Sequence, residues 1–130
     1  MDKSIAWEMA YKNHSLSSRL SYEVFREVFW DWNIFPVIYR DRVVASILTR
    51  KSEAHMVCDA SYKGKWFSRK VFNSTVGKQL KLYGYATTSC FKNSEYIPLI
   101  LKLGYEKQRI KNDKIYFKMT RNKYENKVFT

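Results

Sequence analysis

The chain has 130 residues and a formal net charge of +12, and 17% of its residues are aromatic. This length can bury one core without disulfide or metal support, so we expect a single domain spanning residues 1–130. No apolar run approaches the roughly 18 residues that cross a bilayer, and the first residues lack the apolar region of a signal peptide. We therefore expect a cytoplasmic protein with no membrane segment.

The net positive charge lies entirely in the second half of the chain. Residues 1–60 contain eight basic and eight acidic residues, whereas residues 61–130 contain sixteen basic and four acidic ones. This asymmetry favours an anionic partner, which could be nucleic acid, a phosphate-bearing cofactor or an acidic protein surface. The alternative is a solvated basic face that only keeps the protein soluble.

The first third of the chain predicts a strand and a helix. Ser4–Tyr11 fits a short strand. Ser15–Ser18 offers an N-cap for the amphipathic stretch that follows, in which apolar residues recur at helical spacing. We expect that helix to end near Trp32–Asn33.

Three strands are predicted next. Ile34–Tyr39 and Val43–Thr49 are typical of strands, and the short connection Arg40–Arg42 indicates a tight hairpin turn between them. A second turn at Lys51–Glu53 leads into a third strand, His55–Ala60.

A basic glycine-containing loop, Ser61–Lys65, follows this third strand and precedes a helix predicted over Trp66–Leu80. A helix N-terminus presents unpaired backbone N–H groups and a partial positive charge. With Lys63 and Lys65 beside these groups, the loop is a candidate anion site.

The remaining elements are a strand over Leu82–Cys90, a helix over Ser94–Leu103 that Gly104 ends, and a closing hairpin. The predicted order is β, α, β, β, β, α, β, α, β, β, which indicates an α/β protein with a mixed sheet. The closing strands are Tyr105–Ile110 and Lys114–Met119, and Lys111–Asp113 is the turn between them. We expect the basic tail Thr120–Thr130 to be disordered.

The two cysteines, Cys58 and Cys90, are too few for a disulfide framework. Both fall inside predicted strands, which indicates buried reduced thiols. Together with His14 and His55 they do not show metal-ligand spacing, so we expect no metal site.

Asn93–Glu106 resembles the fourth helix of the GNAT superfamily of acetyl-CoA-dependent N-acetyltransferases. That helix begins after an asparagine and ends in a Leu-Gly-aromatic-Glu turn, where Gly104 suits a left-handed position. Pro98 either interrupts the helix or marks its first turn. The resemblance extends over about Ile34–Thr120 and implies the GNAT fold, a mixed, mostly antiparallel central sheet flanked by helices.

The resemblance also implies a site for acetyl-CoA or another CoA thioester between the strands His55–Ala60 and Leu82–Cys90, which are the fourth and fifth strands of the predicted order. The family loop has the pattern Arg/Gln-x-x-Gly-x-Gly/Ala, and here Trp66 occupies the first motif glycine and Ser68 the last small position. Backbone around Cys58 would pair with pantetheine, and the N–H groups of residues 64–69 would hold the pyrophosphate. The implied cofactor-binding residues are Val57, Cys58, Asp59, Lys63, Gly64, Lys65, Trp66, Phe67, Ser68, Arg69 and Asn93.

The catalytic residues implied by the family are only partly matched. The general-acid tyrosine would lie four residues before the glycine of the turn, where this chain has Ile100, and Tyr96 one turn earlier is the nearest substitute. Candidates for the general base are Glu53, His55 and Asp59. The alternative for each is an ordinary surface, turn or packing residue.

Ser61–Phe67 and the turn Lys102–Tyr105 are similar to a small GNAT-like family encoded among head-assembly genes of short-tailed phages. That similarity implies a phage-encoded protein in the host cytoplasm or the virion, and we expect a monomer or dimer. Two functions follow: an acyltransferase, or a non-catalytic module that docks DNA or an acidic virion protein. The basic residues that would dock such a partner are Lys107, Arg109, Lys111, Lys114, Lys118, Arg121, Lys123 and Lys127.

Overall fold

The structure, a computed structural model, describes residues 3–59, 61 and 68–120. The chain divides into two compact units. The first unit consists of Met1–Arg50 and His55–Val71, and the second unit consists of Lys51–Ala54 and Phe72–Thr130. The helices are α1 (Ser4–Asn13), α2 (Tyr22–Val28), α3 (Arg69–Ser74), α4 (Val76–Tyr83) and α5 (Ile97–Leu103), with a 3₁₀ turn at Ser15–Ser18. The strands are β1 (Asn33–Tyr39), β2 (Arg42–Arg50), β3 (Glu53–Cys58), β4 (Tyr85–Phe91), β5 (Glu106–Lys111) and β6 (Lys114–Thr120).

The strands of the described residues form one sheet in the order β1-β2-β3-β4-β6-β5. The pairs β1–β2, β4–β6 and β5–β6 are antiparallel, and β3 pairs with β4 in parallel. The predicted fold class, a mixed and mostly antiparallel sheet flanked by helices, is therefore confirmed.

The predicted first strand is wrong, because Ser4–Asn13 is a helix. Ala6, Trp7 and Ala10 are its buried residues, and their spacing places them on one side of a helix rather than in the alternation of a strand. The Ser46 hydroxyl of β2 donates a hydrogen bond to the Ala6 carbonyl over 3.0 Å, in the buried layer between α1 and β2.

The second helix is shorter than the sequence indicates. Ser21, rather than Ser15–Ser18, is its N-cap, and the Ser21 hydroxyl accepts a 3.3 Å hydrogen bond from the Val24 N–H. The helix ends at Val28, ahead of the predicted end at Trp32–Asn33. Its buried residue Phe25 lies in the aromatic core of the first unit.

Both predicted hairpin turns are present. Arg40 and Asp41 have φ values of 51° and 65°, and Asn112 and Asp113 have values of 51° and 66°. Two successive left-handed residues are the signature of the type I′ turn, whose twist matches that of paired strands. The hairpins β1–β2 and β5–β6 therefore confirm the sequence prediction.

The helix predicted over Trp66–Leu80 is divided, and its described part begins at Arg69. The break falls at Thr75, where φ is −120° and ψ is −83°. The run Asn73–Thr75 has low helix propensity, and its side chains compete for backbone groups, as the Thr75 hydroxyl does for the Phe72 carbonyl at 3.4 Å.

The last predicted helix begins three residues late, at Ile97 rather than Ser94. Pro98 lies in its first turn, which selects one of the two alternatives that the sequence left open. Gly104 ends the helix with a φ of 112°, a left-handed value that the sequence predicted for this glycine. Other strand ends differ by a few residues, the third strand covering Glu53–Cys58 and the next Tyr85–Phe91.

Candidate functional site

Asp59 follows β3 directly and is held by three contacts in the first unit. Its backbone N–H donates to the Val44 carbonyl at 2.9 Å, which extends the β2–β3 pairing by one residue. Its carboxylate accepts a 3.0 Å ion pair from Arg42 on one oxygen and a 2.9 Å hydrogen bond from the Ser61 N–H on the other. Both oxygens are thus engaged, and the geometry favours a turn-forming role over that of a general base.

Ser68 is the N-cap of α3. Its hydroxyl accepts a 3.2 Å hydrogen bond from the Val71 N–H, the third residue of the helix. Arg69 and Lys70, the first two helical residues, are exposed. Ser68, one of the small residues predicted in the loop, therefore has a local structural role as a helix cap. Arg69 and Lys70 place two cations beside it at the start of the helix.

The loop between these two positions lies outside the described residues. Predicted cofactor contacts there are Lys63, Gly64, Lys65, Trp66 and Phe67. The structure does describe both ends of this segment, the end of β3 with Asp59 and Ser61, and the start of α3 at Ser68.

The other predicted cofactor contacts in the first unit lie on β3. Val57 and Cys58 are buried, so their side chains belong to the core and only their backbone is available for pairing. Burial of the Cys58 thiol agrees with the sequence expectation for it.

His55, a candidate base, lies on β3 with its imidazole ring against the indole of Trp32. The ring centroids are 5.5 Å apart with an interplanar angle of 41°, and His55 is half-buried. This packing orients the ring, and its catalytic role stays a prediction.

The start of β3 is anchored in the second unit by side chains as well as by backbone. The Thr87 N–H donates to the Ser52 carbonyl at 2.7 Å, and the Thr88 hydroxyl donates to the Ala54 carbonyl at 2.6 Å. The Gln79 amide of α4 donates to the carbonyls of Lys51 and Glu53 at 2.9 and 2.8 Å. The Ala54 carbonyl is thus paired with a side-chain hydroxyl of β4.

Asn93 and Tyr96 lie in the turn between β4 and α5, also in the second unit. Asn93 is exposed, and the turn is closed by the Ser94 N–H, which donates to the Phe91 carbonyl at 3.0 Å. The Ser94 hydroxyl accepts a 3.1 Å hydrogen bond from the Tyr96 N–H, and Tyr96 is half-buried at the start of the helix. Tyr96 and Asn93 share this turn, whereas His55 and Asp59 belong to the first unit.

Cys90 is half-buried at the end of β4. Burial raises the pKa of its thiol, and a hydrogen bond with Ser94 partly offsets that rise. The thiol therefore stays protonated near neutral pH and is not an activated nucleophile.

Ile100 and Tyr105 are both buried, with 2% and 3% of their surfaces exposed. Ile100, where the sequence resemblance implies a general-acid tyrosine, is a core residue and cannot transfer a proton. Burial also raises the pKa of the Tyr105 hydroxyl well above its usual range, since the phenolate would lose its water. Tyr105 therefore remains neutral under all physiological conditions.

A pH dependence of stability follows from Tyr105. Because its folded-state pKa lies above the unfolded value of about 10, its stabilising contribution is complete below that pH and is lost as pH rises further. Urea unfolding from about pH 8 to about pH 11 should show the parent losing up to about 1.4 kcal/mol per pH unit more than Tyr105→Phe. Parallel stability profiles for the two proteins would contradict this.

Two residues that contact predicted site residues within their own units were not singled out from the sequence. Arg42, assigned to a turn, pairs with Asp59, and Ser94 bonds both Cys90 and Tyr96. The turn predicted at Lys51–Glu53 could have signalled the contact between Arg42 and Asp59. A tight turn there brings the start of β2 opposite the residues after β3.

Solved acetyltransferases have the same fold as this chain. A chimera of the spermidine N-acetyltransferase SpeG from Vibrio cholerae and hSSAT matches with a TM-score of 0.71, over 97% of this chain and 96% of that one, at 11% identity. A protein from Pyrococcus horikoshii OT3 matches with a TM-score of 0.69 over 92% of each chain at 16% identity. The PaiA N-acetyltransferase from Thermoplasma acidophilum, solved in complex with coenzyme A, matches with a TM-score of 0.64 over 92% of each chain at 11% identity.

No protein-family model matches the sequence, and a search of the curated proteins finds no match. At these identities the structural similarity establishes the fold, which is the GNAT fold that the sequence predicted. In the described part of the chain, no helix is long and apolar enough to cross a membrane.

Proposed function

We propose that this protein is an acyltransferase that moves an acyl group from a CoA thioester, acetyl-CoA first among them, to an amine. The observation that carries the proposal is the match to a spermidine N-acetyltransferase over 97% of the chain with a TM-score of 0.71. The CoA complex of a second structural neighbour supports a CoA thioester as the donor.

Described residues that flank the segment between β3 and α3 support a donor site there. A pyrophosphate would be repelled by a free carboxylate, but the Asp59 carboxylate is paired with Arg42 and capped by the Ser61 N–H. Arg69 and Lys70 are exposed at the far end of the loop, where they can bind phosphate oxygens. The backbone of β3 near Val57 and Cys58 would pair with pantetheine.

The chemistry is attack of a neutral amine nitrogen on the thioester carbonyl. The new C–N bond forms as the C–S bond breaks, the electron pair leaves with sulfur as CoA thiolate, and the amine loses one proton. Position and orientation of the two reactants, with backbone N–H groups near the carbonyl oxygen, supply much of the rate. Because an alkyl thiol has a pKa near 8.5, the thiolate is a tolerable leaving group without a tyrosine acid. Buried Ile100 at the acid position therefore does not exclude turnover.

The sequence also predicts a proton acceptor and a proton donor. His55 would accept the amine proton, because Arg42 and Ser61 already engage both oxygens of the Asp59 carboxylate. The role of Tyr96 as a donor to sulfur stays a prediction. The spermidine acetyltransferase among the neighbours makes polyamines the first acceptors to assay, beside lysine peptides and nucleobases.

Calorimetric titration of acetyl-CoA, with desulfo-CoA in parallel, tests the donor site. We expect a micromolar dissociation constant and about fivefold weaker binding by Arg69→Gln, since one charge-assisted contact is worth about 1 kcal/mol on an exposed surface. Arg19→Gln is the matched control, because Arg19 is an exposed arginine of the same compact unit.

Absence of heat at millimolar acetyl-CoA would reject the proposed donor site. Equal weakening by both variants would show that net charge, and not Arg69, governs binding. Binding without turnover on any amine would leave a CoA-binding protein with no transferase activity.

The second candidate is a non-catalytic protein with the GNAT fold. Two observations favour it: the acid position holds buried Ile100, and the basic residues of β5 and β6 are exposed. The phage origin, the head-assembly role with an acidic virion partner, the cytoplasmic or virion location and the monomeric or dimeric state remain predictions from the sequence.

A further inference from the structure

One face of the three-stranded segment β4–β6–β5 is exposed and carries most of the described positive charge of these strands. Along β6, Ile115, Phe117 and Met119 are buried, and the residues between them point to the other side of the sheet. Lys114 pairs directly with Phe91 of β4 and Lys111 of β5. Directly paired residues lie on the same side of a sheet, so these side chains share one face.

Four cations and three aromatic rings define this surface, which we call the basic face: Arg109, Lys111, Lys114, Lys118, Tyr85, Phe91 and Tyr116. Phe91 and Tyr85 are 48% and 39% exposed. Among the described residues of these three strands, the acidic side chain is Glu106, which pairs with Lys118. The basic face thus has a net positive charge beside exposed rings.

Each ring of the basic face has a cation of a neighbouring strand over it. Lys118 Nζ lies 4.8 Å from the Tyr85 ring centroid, and Lys114 Nζ lies 5.5 Å from that of Phe91. Arg109 Cζ lies 5.0 Å from the centroid of Tyr116. Each ring of the basic face therefore lies within about 6 Å of a cation that could instead contact a phosphate.

Two features of the basic face are individually unfavourable in the free protein. Lys111 and Lys114 are directly opposite each other, and like charges at paired positions of a sheet are destabilising. Exposed Tyr85 and Phe91 leave apolar area in water. A ligand that neutralises the cations and covers the rings would remove both costs.

We infer that the basic face binds single-stranded nucleic acid. Phosphates would contact the four cations, and bases would stack on the rings, the combination used by sheet surfaces that bind single strands. A duplex hides its bases from such rings, and an acidic protein needs cations but no stacking surface. The inference does not depend on acyl transfer, because no residue of the basic face belongs to the segment between β3 and α3.

The experiment is fluorescence anisotropy of labelled oligonucleotides with the full chain. Oligo-dT and oligo-U of about twelve nucleotides are the single-stranded probes, with a duplex of the same length for comparison. We expect micromolar binding of the single strands at low salt. The plot of log affinity against log salt should have a slope of about −3, since four contacts contribute about −0.7 each.

Two sets of variants locate the binding. Arg109→Gln/Lys118→Gln should reduce the salt slope by about 1.4, and Phe91→Leu should weaken binding at least about fivefold through lost stacking. Lys12→Gln/Arg19→Gln, which removes two exposed cations of the first unit, is the charge-matched control and should retain more than half of the affinity. Circular dichroism would establish that each variant is folded.

Several outcomes would overturn the inference. One is the absence of binding to any oligonucleotide at low salt. A second is equal affinity for the duplex with no effect of Phe91→Leu, which would indicate phosphate contacts alone. A third is unchanged binding by Arg109→Gln/Lys118→Gln, which would assign affinity to other cations such as Arg121, Lys123 and Lys127. The last is equal displacement by polyglutamate, which would favour an acidic protein as the partner.

Discussion

Replacing Phe25 by alanine is expected to lower the free energy of unfolding by about 3–5 kcal/mol. The ring is fully buried, and its centroid lies 4.9 Å from that of Phe29, 5.3 Å from that of Tyr11 and 6.4 Å from that of Trp7. Removing it creates a cavity lined by rigid rings, which cannot close over the space by small shifts. Urea unfolding followed by fluorescence measures the loss as a lower midpoint at an unchanged slope.

Val24→Ala is the matched control for Phe25→Ala. Val24 is the preceding residue of α2, is 41% exposed and should change stability by no more than about 0.5 kcal/mol. A loss below about 1 kcal/mol for Phe25→Ala would mean that the aromatic cluster is not the core of the first unit.

Gln79→Glu should cost about 3 kcal/mol or more at neutral pH. The Gln79 amide donates to two carbonyls on the turn between β2 and β3, and its buried Oε1 atom has no hydrogen-bond partner among the described residues. The substitution replaces a donor with a buried carboxylate that faces the carbonyl oxygens of Lys51 and Glu53. Repulsion and lost solvation then act together.

The pH dependence distinguishes this mechanism from simple misfolding. Burial would raise the pKa of the introduced carboxyl, so the penalty should be present at neutral pH and shrink as pH falls and the group protonates. Lys78→Gln changes the net charge by the same amount at an exposed position of α4 and should have little effect. A deficit that stays constant from about pH 7 to about pH 4 would contradict the explanation.

The sequence predicted most strands because their signals are local. β1 and β2 carry apolar runs around a short polar turn, and β5 and β6 do the same around Asn112 and Asp113. Gly104 could be assigned because a left-handed residue after a helix is nearly always glycine or asparagine. Local chemistry was sufficient at each of these positions.

The errors arose where tertiary contacts decide. Ser4–Asn13 has the composition of a strand or a helix, and it is a helix because Ala6 and Ala10 allow close packing against β2. The start of α3 at Arg69 follows the Ser68 cap, which the sequence analysis did not identify.

The position predicted for the loop after β3 followed from the local pattern of a strand, a basic glycine-containing segment and a helix. The engagement of Asp59 by Arg42 did not, because the two residues are 17 apart and meet only through the strand register. The pairing of the Asp59 charge is therefore determined by the register of the strands and not by the loop sequence.

The edges of the sheet show a further consequence of the basic residues on β5. Among the described residues, β1 and β5 are the outer strands, and an outer strand offers unpaired backbone groups to another chain. Pro36 lies within β1, while β5 is exposed along its whole length and carries Lys107, Arg109 and Lys111. Mutual repulsion of these cations would disfavour edge-to-edge pairing of two copies of β5. A polyanion that neutralised them would remove this protection, so the same charges that attract a ligand also set how soluble the complex is.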